Sequence, residues 1–121
     1  MADVRKIARN DYEPWRKLFA AYIAFYEAEV ADEIYEITFD RLLAHEPDTH
    51  TGFVALGSDG ATLIGLAHVL LHRSTWSKTG YLYLEDLYVS PASRGTGAGR
   101  ALIEAIYAHA DTVGATRTYW A

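Results

Sequence analysis

The chain has 121 residues, half of them hydrophobic, with three Trp and nine Tyr. That suits one globular domain around a single core and leaves no room for two. Eleven Lys and Arg against sixteen Asp and Glu give a net charge of −5, which argues against a nucleic-acid or anionic-membrane partner, since phosphate binding relies on Lys and Arg. Mild acidity serves solubility in many proteins, and it is also compatible with a cationic small molecule. Cysteine is absent, so disulfides, thiolate metal sites and cysteine nucleophiles are excluded. The first thirteen residues, MADVRKIARNDYE, lack the apolar stretch of a signal peptide. No apolar run approaches the roughly 20 residues that cross a bilayer, and the expected location is the cytoplasm.

In chain order, a short strand is expected over residues 4–8. Asn10 reads as an N-cap with Glu13 three residues later, and Pro14 falls in the first turn, where it is tolerated. Trp15, Leu18, Phe19, Tyr22, Ile23 and Tyr26 recur at helical spacing, which predicts an amphipathic helix to about Ala28 with its aromatic stripe in the core. A polar stretch over residues 29–38 precedes a shorter helix over 39–45, stopped by Pro47. GFVAL and ATLIGLAHVLL flank Ser58, Asp59 and Gly60, which is the pattern of a hairpin. A loop over 74–80 leads to the strand-like YLYLEDLYV. Leu102, Ile103, Ile106, Tyr107, Ala110 and Val113 mark a long helix that Gly114 ends, and TRTYWA opens another strand. The order β-α-α-β-β-β-α-β implies a mixed α/β sheet with helices on both faces.

VSPASRGTGAG, between the YLYLEDLYV strand and that helix, puts Gly95, Gly97 and Gly99 on alternate positions between Arg94 and Arg100. Backbone N–H groups at a helix N-terminus lack partners and carry about half a positive charge, so glycines that let a phosphate approach them form a pyrophosphate cradle. It is not the dinucleotide fingerprint, whose third glycine would fall on Arg100. Nor is it a Walker loop, because no G-K-[ST] triplet is present. His68 and His72 share a strand face but lie about 13 Å apart by strand geometry. His45, His50 and His109 show no ligand spacing, and Ser93 has no nucleophile elbow, so neither a metal site nor a serine triad is expected.

Arg94-x-x-Gly97-x-Gly99, set between strand and helix, resembles the acetyl-coenzyme A site of the GNAT superfamily of N-acetyltransferases. The spacing from Trp76 to YLED is similar to the spermidine/spermine-type members and their bacterial relatives. The resemblance implies a largely antiparallel GNAT-like fold and direct acetyl transfer from acetyl-CoA to a primary amine of a small or polyamine-like molecule. It implies that Arg94, Gly95, Thr96, Gly97, Ala98, Gly99 and Arg100 hold the pyrophosphate, and that the backbone of Leu87 and Val89 holds the pantetheine arm. Glu85 is implied as general base. Glu85 and Asp86 are adjacent on a strand, so their side chains are expected on opposite faces. Trp76, Tyr26, Glu27, Glu29, Asp32, Glu33 and Asp86 are candidates for binding a cationic substrate through ring faces and carboxylates.

GNAT domains continue into a further helix and two strands, where the spermidine/spermine-type members carry a tyrosine that protonates the leaving thiolate. Tyr119, within the last strand, does not match it. The resemblance therefore implies one incomplete domain over 1–121, lacking that helix and those strands. The expectation is a truncated form, or a subunit that completes its sheet as a homodimer, with little activity as an isolated monomer. The alternative is a non-catalytic module that binds coenzyme A or mediates oligomerisation.

Overall fold

Five strands hydrogen-bond into one sheet in the computed structural model, which describes residues 2–44 and 50–121. The chain runs β1 (Asp3–Lys6), α1 (Tyr12–Phe25), α2 (Asp32–Ala44), β2 (His50–Leu56), β3 (Leu63–His72), β4 (Tyr81–Val89), α3 (Ala98–Val113) and β5 (Arg117–Tyr119). Spatial order follows sequence order: β1 to β4 pair antiparallel, and β5 joins β4 in parallel after the α3 crossover. This is the mixed, mostly antiparallel α/β architecture expected from the sequence.

Two cores sandwich the sheet. On one face α3 lays Ala98, Leu102, Ile106 and Ala110 over Phe53, Ala55, Ala67, Val69, Leu82 and Leu84. On the other, Trp15 and Phe19 of α1 and Tyr35, Phe39 and Leu42 of α2 cover Val54 and Leu66. The aromatic stripe of α1 is thus partly core, as periodicity suggests, and Trp15 is fully buried. α3 is bounded by glycines in the left-handed region, Gly97 at φ 87° and Gly114 at φ 75°. The β2–β3 turn is closed by Asp59, which accepts hydrogen bonds from the N–H groups of Ala61 and Thr62 at 2.9 Å. These and the Thr62 hydroxyl pull the Asp59 carboxyl down to about 2.

Three boundaries differ from expectation. β1 ends at Lys6, and a 3-10 turn over Arg9–Asp11 precedes α1, so Asn10 does not cap the helix. Asp11 takes the structural role instead: its carboxylate accepts from the Ala8 N–H at 2.7 Å and from both Arg5 amino groups at 2.7 and 2.9 Å. α1 ends at Phe25 rather than near Ala28, because Glu27 turns into the left-handed region at φ 56°. α2 begins at Asp32, seven residues before the predicted Phe39. The stretch read as a polar loop is its acidic first turn, favourable at a helix N-terminus. Arg16 of α1 pairs with Asp32 at 3.3 Å and lies over the Tyr35 ring at 4.6 Å. The expected stop at Pro47 lies outside the described residues.

The Arg5–Asp11 clamp ties β1 to the start of α1, and its acidic partner is buried. The Arg5 hydrogen bonds, aided by the Ala8 N–H, hold the Asp11 carboxyl below its ordinary value of 3.8. A carboxyl depressed on folding stabilises the protein above its unfolded value and loses that contribution as pH falls through the folded one. Asp11→Asn should therefore cost about 2 kcal/mol at neutral pH. In urea titrations the gap between wild type and variant should narrow below about pH 4.

Candidate active site

β3 and β4 do not pair evenly. His68 stands opposite Asp86 while Val69 stands opposite Leu84, so Glu85 is an additional residue in β4. Such a bulge resets the alternation of faces. Leu82 and Leu84 enter the α3 core, and Leu87 and Val89 pack against the same core. Both residues between them are therefore displaced to the α1–α2 side. Glu85 and Asp86 line one pocket of about 190 Å³, together with Phe19, Thr38, Arg41, Leu42, His50 and His68. The expectation that they point to opposite faces is overturned, because it assumed an unbroken period of two.

The two carboxylates are held differently. Asp86 Oδ2 lies 2.8 Å from Nδ1 of His68, and His68 Nε2 accepts the Trp15 indole N–H at 3.0 Å. An indole only donates, so His68 carries its proton on Nδ1 and donates it to Asp86. His68 is almost completely buried and Trp15 wholly so, which makes this a chain of satisfied polar groups from the core to the pocket wall. Tyr22 closes the far side of Asp86. Its phenol is pushed well above its ordinary value by burial, then by the Asp86 carboxylate and, more weakly, by Glu85. Glu85 faces a more open partner: its Oε1 is 2.5 Å from Nε2 of His50.

The loop after β4 supplies a different kind of site. Gly95 and Gly97 have φ values of 83° and 87°, and a Cβ at either would meet nothing within 4 Å. Glycine is needed there for the left-handed backbone rather than for packing space. Thr96 Oγ1 donates to Ser93 O at 2.6 Å, which folds the loop on itself. Arg94 donates through Nε to Val89 O at 3.3 Å, and Arg100 pairs with Glu104 at 3.1 Å. Among the described residues, none of the backbone N–H groups from position 95 to 100 finds an acceptor. Unsatisfied donors, two left-handed glycines and the N-terminus of a 16-residue helix fit a pyrophosphate.

β4–β5 pairing runs over Tyr81–Tyr83 and Arg117–Tyr119, and the backbone of Leu87 and Val89 lies farther along β4, toward the glycine loop. An extended chain adds to a strand edge through backbone hydrogen bonds of this kind.

The remaining sequence candidates scatter. Trp76 is 86% exposed on the loop between β3 and β4, at the Tyr81 end of β4. Tyr26 follows α1, whose Tyr22 meets Tyr88 at 5.9 Å near the other end of that strand. The two were expected to line one site; the length of β4 separates them. Tyr26 is itself exposed and packs edge-on to Tyr22, and Glu27 occupies the left-handed turn. Glu29 lies exposed before α2, while Asp32 and Glu33 form that helix's first turn. Among the described residues no three His, Asp or Glu side chains converge as a metal-ligand set. A larger cavity, about 470 Å³, lies beside the β2–β3 turn and is lined by neither Glu85 nor Asp86. Chemistry rather than size singles out the smaller pocket.

A model of the acetyltransferase (GNAT) family matches residues 12–121. The chain belongs to that family. Over 118 residues it is 35% identical to the D-amino-acid N-acetyltransferase of Saccharomyces cerevisiae, covering 97% of this chain and 72% of the yeast protein. Its fold is similar to that of a probable acetyltransferase, with a TM-score of 0.86 at 18% identity over 98% of this chain and 78% of the other. It is also similar to AAC(6')-Iy bound to the bisubstrate analogue CoA-S-monomethyl-acetylneamine, with a TM-score of 0.83 at 18% identity over 100% and 79%. The GNAT chain is thus an N-acetyltransferase of a family that uses acetyl-CoA. No helix among the described residues is long and apolar enough to cross a membrane.

Sequence reasoning missed His50, His68 and Arg41 in the pocket and assigned Trp15 to packing alone. A signal existed for His68: it occupies an inward position in an otherwise apolar strand, where a histidine needs a polar partner. Trp15→Phe keeps an aromatic ring but removes the donor and some buried volume, which leaves the buried Nε2 of His68 without a partner. The substitution should cost about 2 kcal/mol. Urea denaturation of the two proteins at neutral pH measures it.

Proposed function

We propose that this GNAT chain transfers the acetyl group of acetyl-CoA directly to a primary amine of a small molecule, with Glu85 as the general base. The observation that carries this reading is the bulge, which sets Glu85 and Asp86 together on one pocket wall, directly before Leu87 and Val89 in β4. An alkylammonium with a pKa near 10.4 is less than about 0.1% neutral at pH 7, a handicap of about 4–5 kcal/mol. Glu85 takes up that proton as the amine enters, and Asp86, held by His68, attracts the incoming cation. The neutral amine attacks the thioester carbonyl of acetyl-CoA, the C–S bond breaks, and coenzyme A leaves as the free thiol with the second amine proton. The backbone N–H groups from Gly95 to Arg100 bind its pyrophosphate, while the edge of β4 at Leu87 and Val89 aligns the acyl-carrying arm. An N–H fixed beside the thioester oxygen contributes about 3 kcal/mol to the transition state.

The yeast relative is named for D-amino acids and the AAC(6')-Iy complex carries an acetylneamine analogue. Both names support an amine on a small molecule. A second reading, an amino acid, is favoured by Arg41, which lines the pocket with the two carboxylates and suits a substrate carboxylate. A panel of amino acids, aminoglycosides and polyamines, scored by release of free thiol from acetyl-CoA, separates these classes. Turnover of amino acids alone selects the second reading.

Glu85→Gln preserves shape and removes basicity, so kcat/KM at neutral pH should fall about a hundredfold or more. Part of the loss should return as pH rises and free amine accumulates. Parallel pH–rate profiles would count against Glu85 as base. Gly97→Val adds a side chain at a left-handed position and should weaken coenzyme A binding at least about tenfold, near 1.4 kcal/mol. Titration calorimetry on the folded variant tests the cradle independently of turnover.

A further inference from the structure

Asp86 is held from the core, by His68 and the indole behind it. Glu85 is not. It is the additional residue of a bulge, without a cross-strand neighbour, and its side chain is 46% exposed. A carboxylate on three rotatable side-chain bonds samples solvent, and ordering it costs free energy. Among the described residues its hydrogen-bond partner is His50, with Nε2 at 2.5 Å from Oε1. His50 is the first residue of β2, level with Leu70 of β3, which stands opposite Tyr83 of β4. The contact therefore reaches over an intervening strand, so its geometry is set by the sheet.

We propose that His50 is a positioning residue for acetyl transfer: its imidazole orients Glu85 over the pocket, and its protonation state decides whether Glu85 can accept a proton. This rests on the reading of Glu85 as the base. With His50 neutral, Nε2–H donates to Oε1 and leaves Oε2 for the substrate. One N–H bond of the ammonium breaks, one O–H bond forms on Oε2, and the pair passes from a charge of −1 to zero. With His50 protonated the same contact persists, but the pair starts at zero and would become a cation. Uptake of a proton from an ammonium is then opposed. Imidazole is the side chain that changes charge between about pH 5 and 8.

Among the described residues the following groups face this pair. β4 contributes Glu85 and Asp86, β3 contributes His68, and α2 contributes Arg41 and Thr38. α1 presents Phe19, with Tyr22 near Asp86. His68 is buried with its Nε2 accepting from the Trp15 indole N–H, whereas the His50 imidazole is in contact with solvent. A half-exposed ion pair that served only stability would contribute little and leave the pH dependence of catalysis unmoved.

The test compares His50→Gln, which keeps a donor but does not titrate, with His50→Ala, which keeps neither function. Initial rates of thiol release from acetyl-CoA with a primary amine are measured from pH 6 to 8 on the full chain. The amine's own ionisation contributes the same slope to every profile, so the comparison isolates His50. His50→Gln should stay within about threefold of wild type at pH 8, and its ratio of kcat/KM at pH 8 to pH 6 should be smaller by about threefold or more. His50→Ala should lose about tenfold in kcat at pH 8 with an unchanged KM for acetyl-CoA. Equal pH ratios in wild type and His50→Gln, or undiminished kcat in His50→Ala, would overturn the proposal. If Glu85→Gln is crippled while both His50 variants match wild type, the base assignment stands and His50 is excluded. If Glu85→Gln keeps the wild-type rate, the base assignment fails and this proposal falls with it.

Discussion

The functional half of this molecule depends on one extra residue in β4. The strand carries Leu82 and Leu84 before the bulge and Leu87 and Val89 after it, and all four pack toward α3. A regular strand could not bury both pairs on the same face, because their spacing changes from two to three between Leu84 and Leu87. It would place Asp86 in the α3 core beside Leu84, where a carboxylate without partners is strongly disfavoured. The bulge resolves the conflict by releasing Glu85 from the ladder and returning Leu87 to the core. The two carboxylates then share a wall because the apolar residues around them share a core.

Once on the same wall, the carboxylates are separated by what holds them. Asp86 is backed by an imidazole whose other nitrogen is tied to a buried indole, a chain with every member satisfied. A charge bound to a fixed donor on a rigid strand is a stationary electrostatic feature. Glu85 meets a half-exposed histidine two strands away and has access to water. Two carboxyl groups with different surroundings can serve different tasks in one pocket: a fixed anion attracts a cation, and a solvent-linked one exchanges protons.

Much of the architecture was legible in the sequence because it rests on period and turn chemistry. The hairpin was marked by Ser58, Asp59 and Gly60, and α3 by its apolar spacing and terminal Gly114. The start of α2 was obscured because Asp32 and Glu33 resemble a loop unless the helix dipole is considered together with Tyr35, Phe39 and Leu42. The pocket was harder still. His50, His68 and Glu85 lie on three strands, and contact between them depends on register, which no single segment encodes. The bulge did leave a trace, in the slip from even to odd apolar positions between Leu84 and Leu87. Reading Glu85 and Asp86 by simple alternation passed over it.

The same strand also links the two functions assigned to this site. The glycine loop begins just beyond Val89, and the bulge lies four residues earlier, a separation of about 13 Å along an extended backbone. One element, hydrogen-bonded to β3 on its inner side, therefore fixes the distance between the glycine loop and the carboxylates. α1 and α2 cover the face that carries the carboxylates and can differ in sequence without altering that distance. In the proposed reading, acceptor choice belongs to the helices and to Arg41, and the reach of the acyl donor belongs to β4.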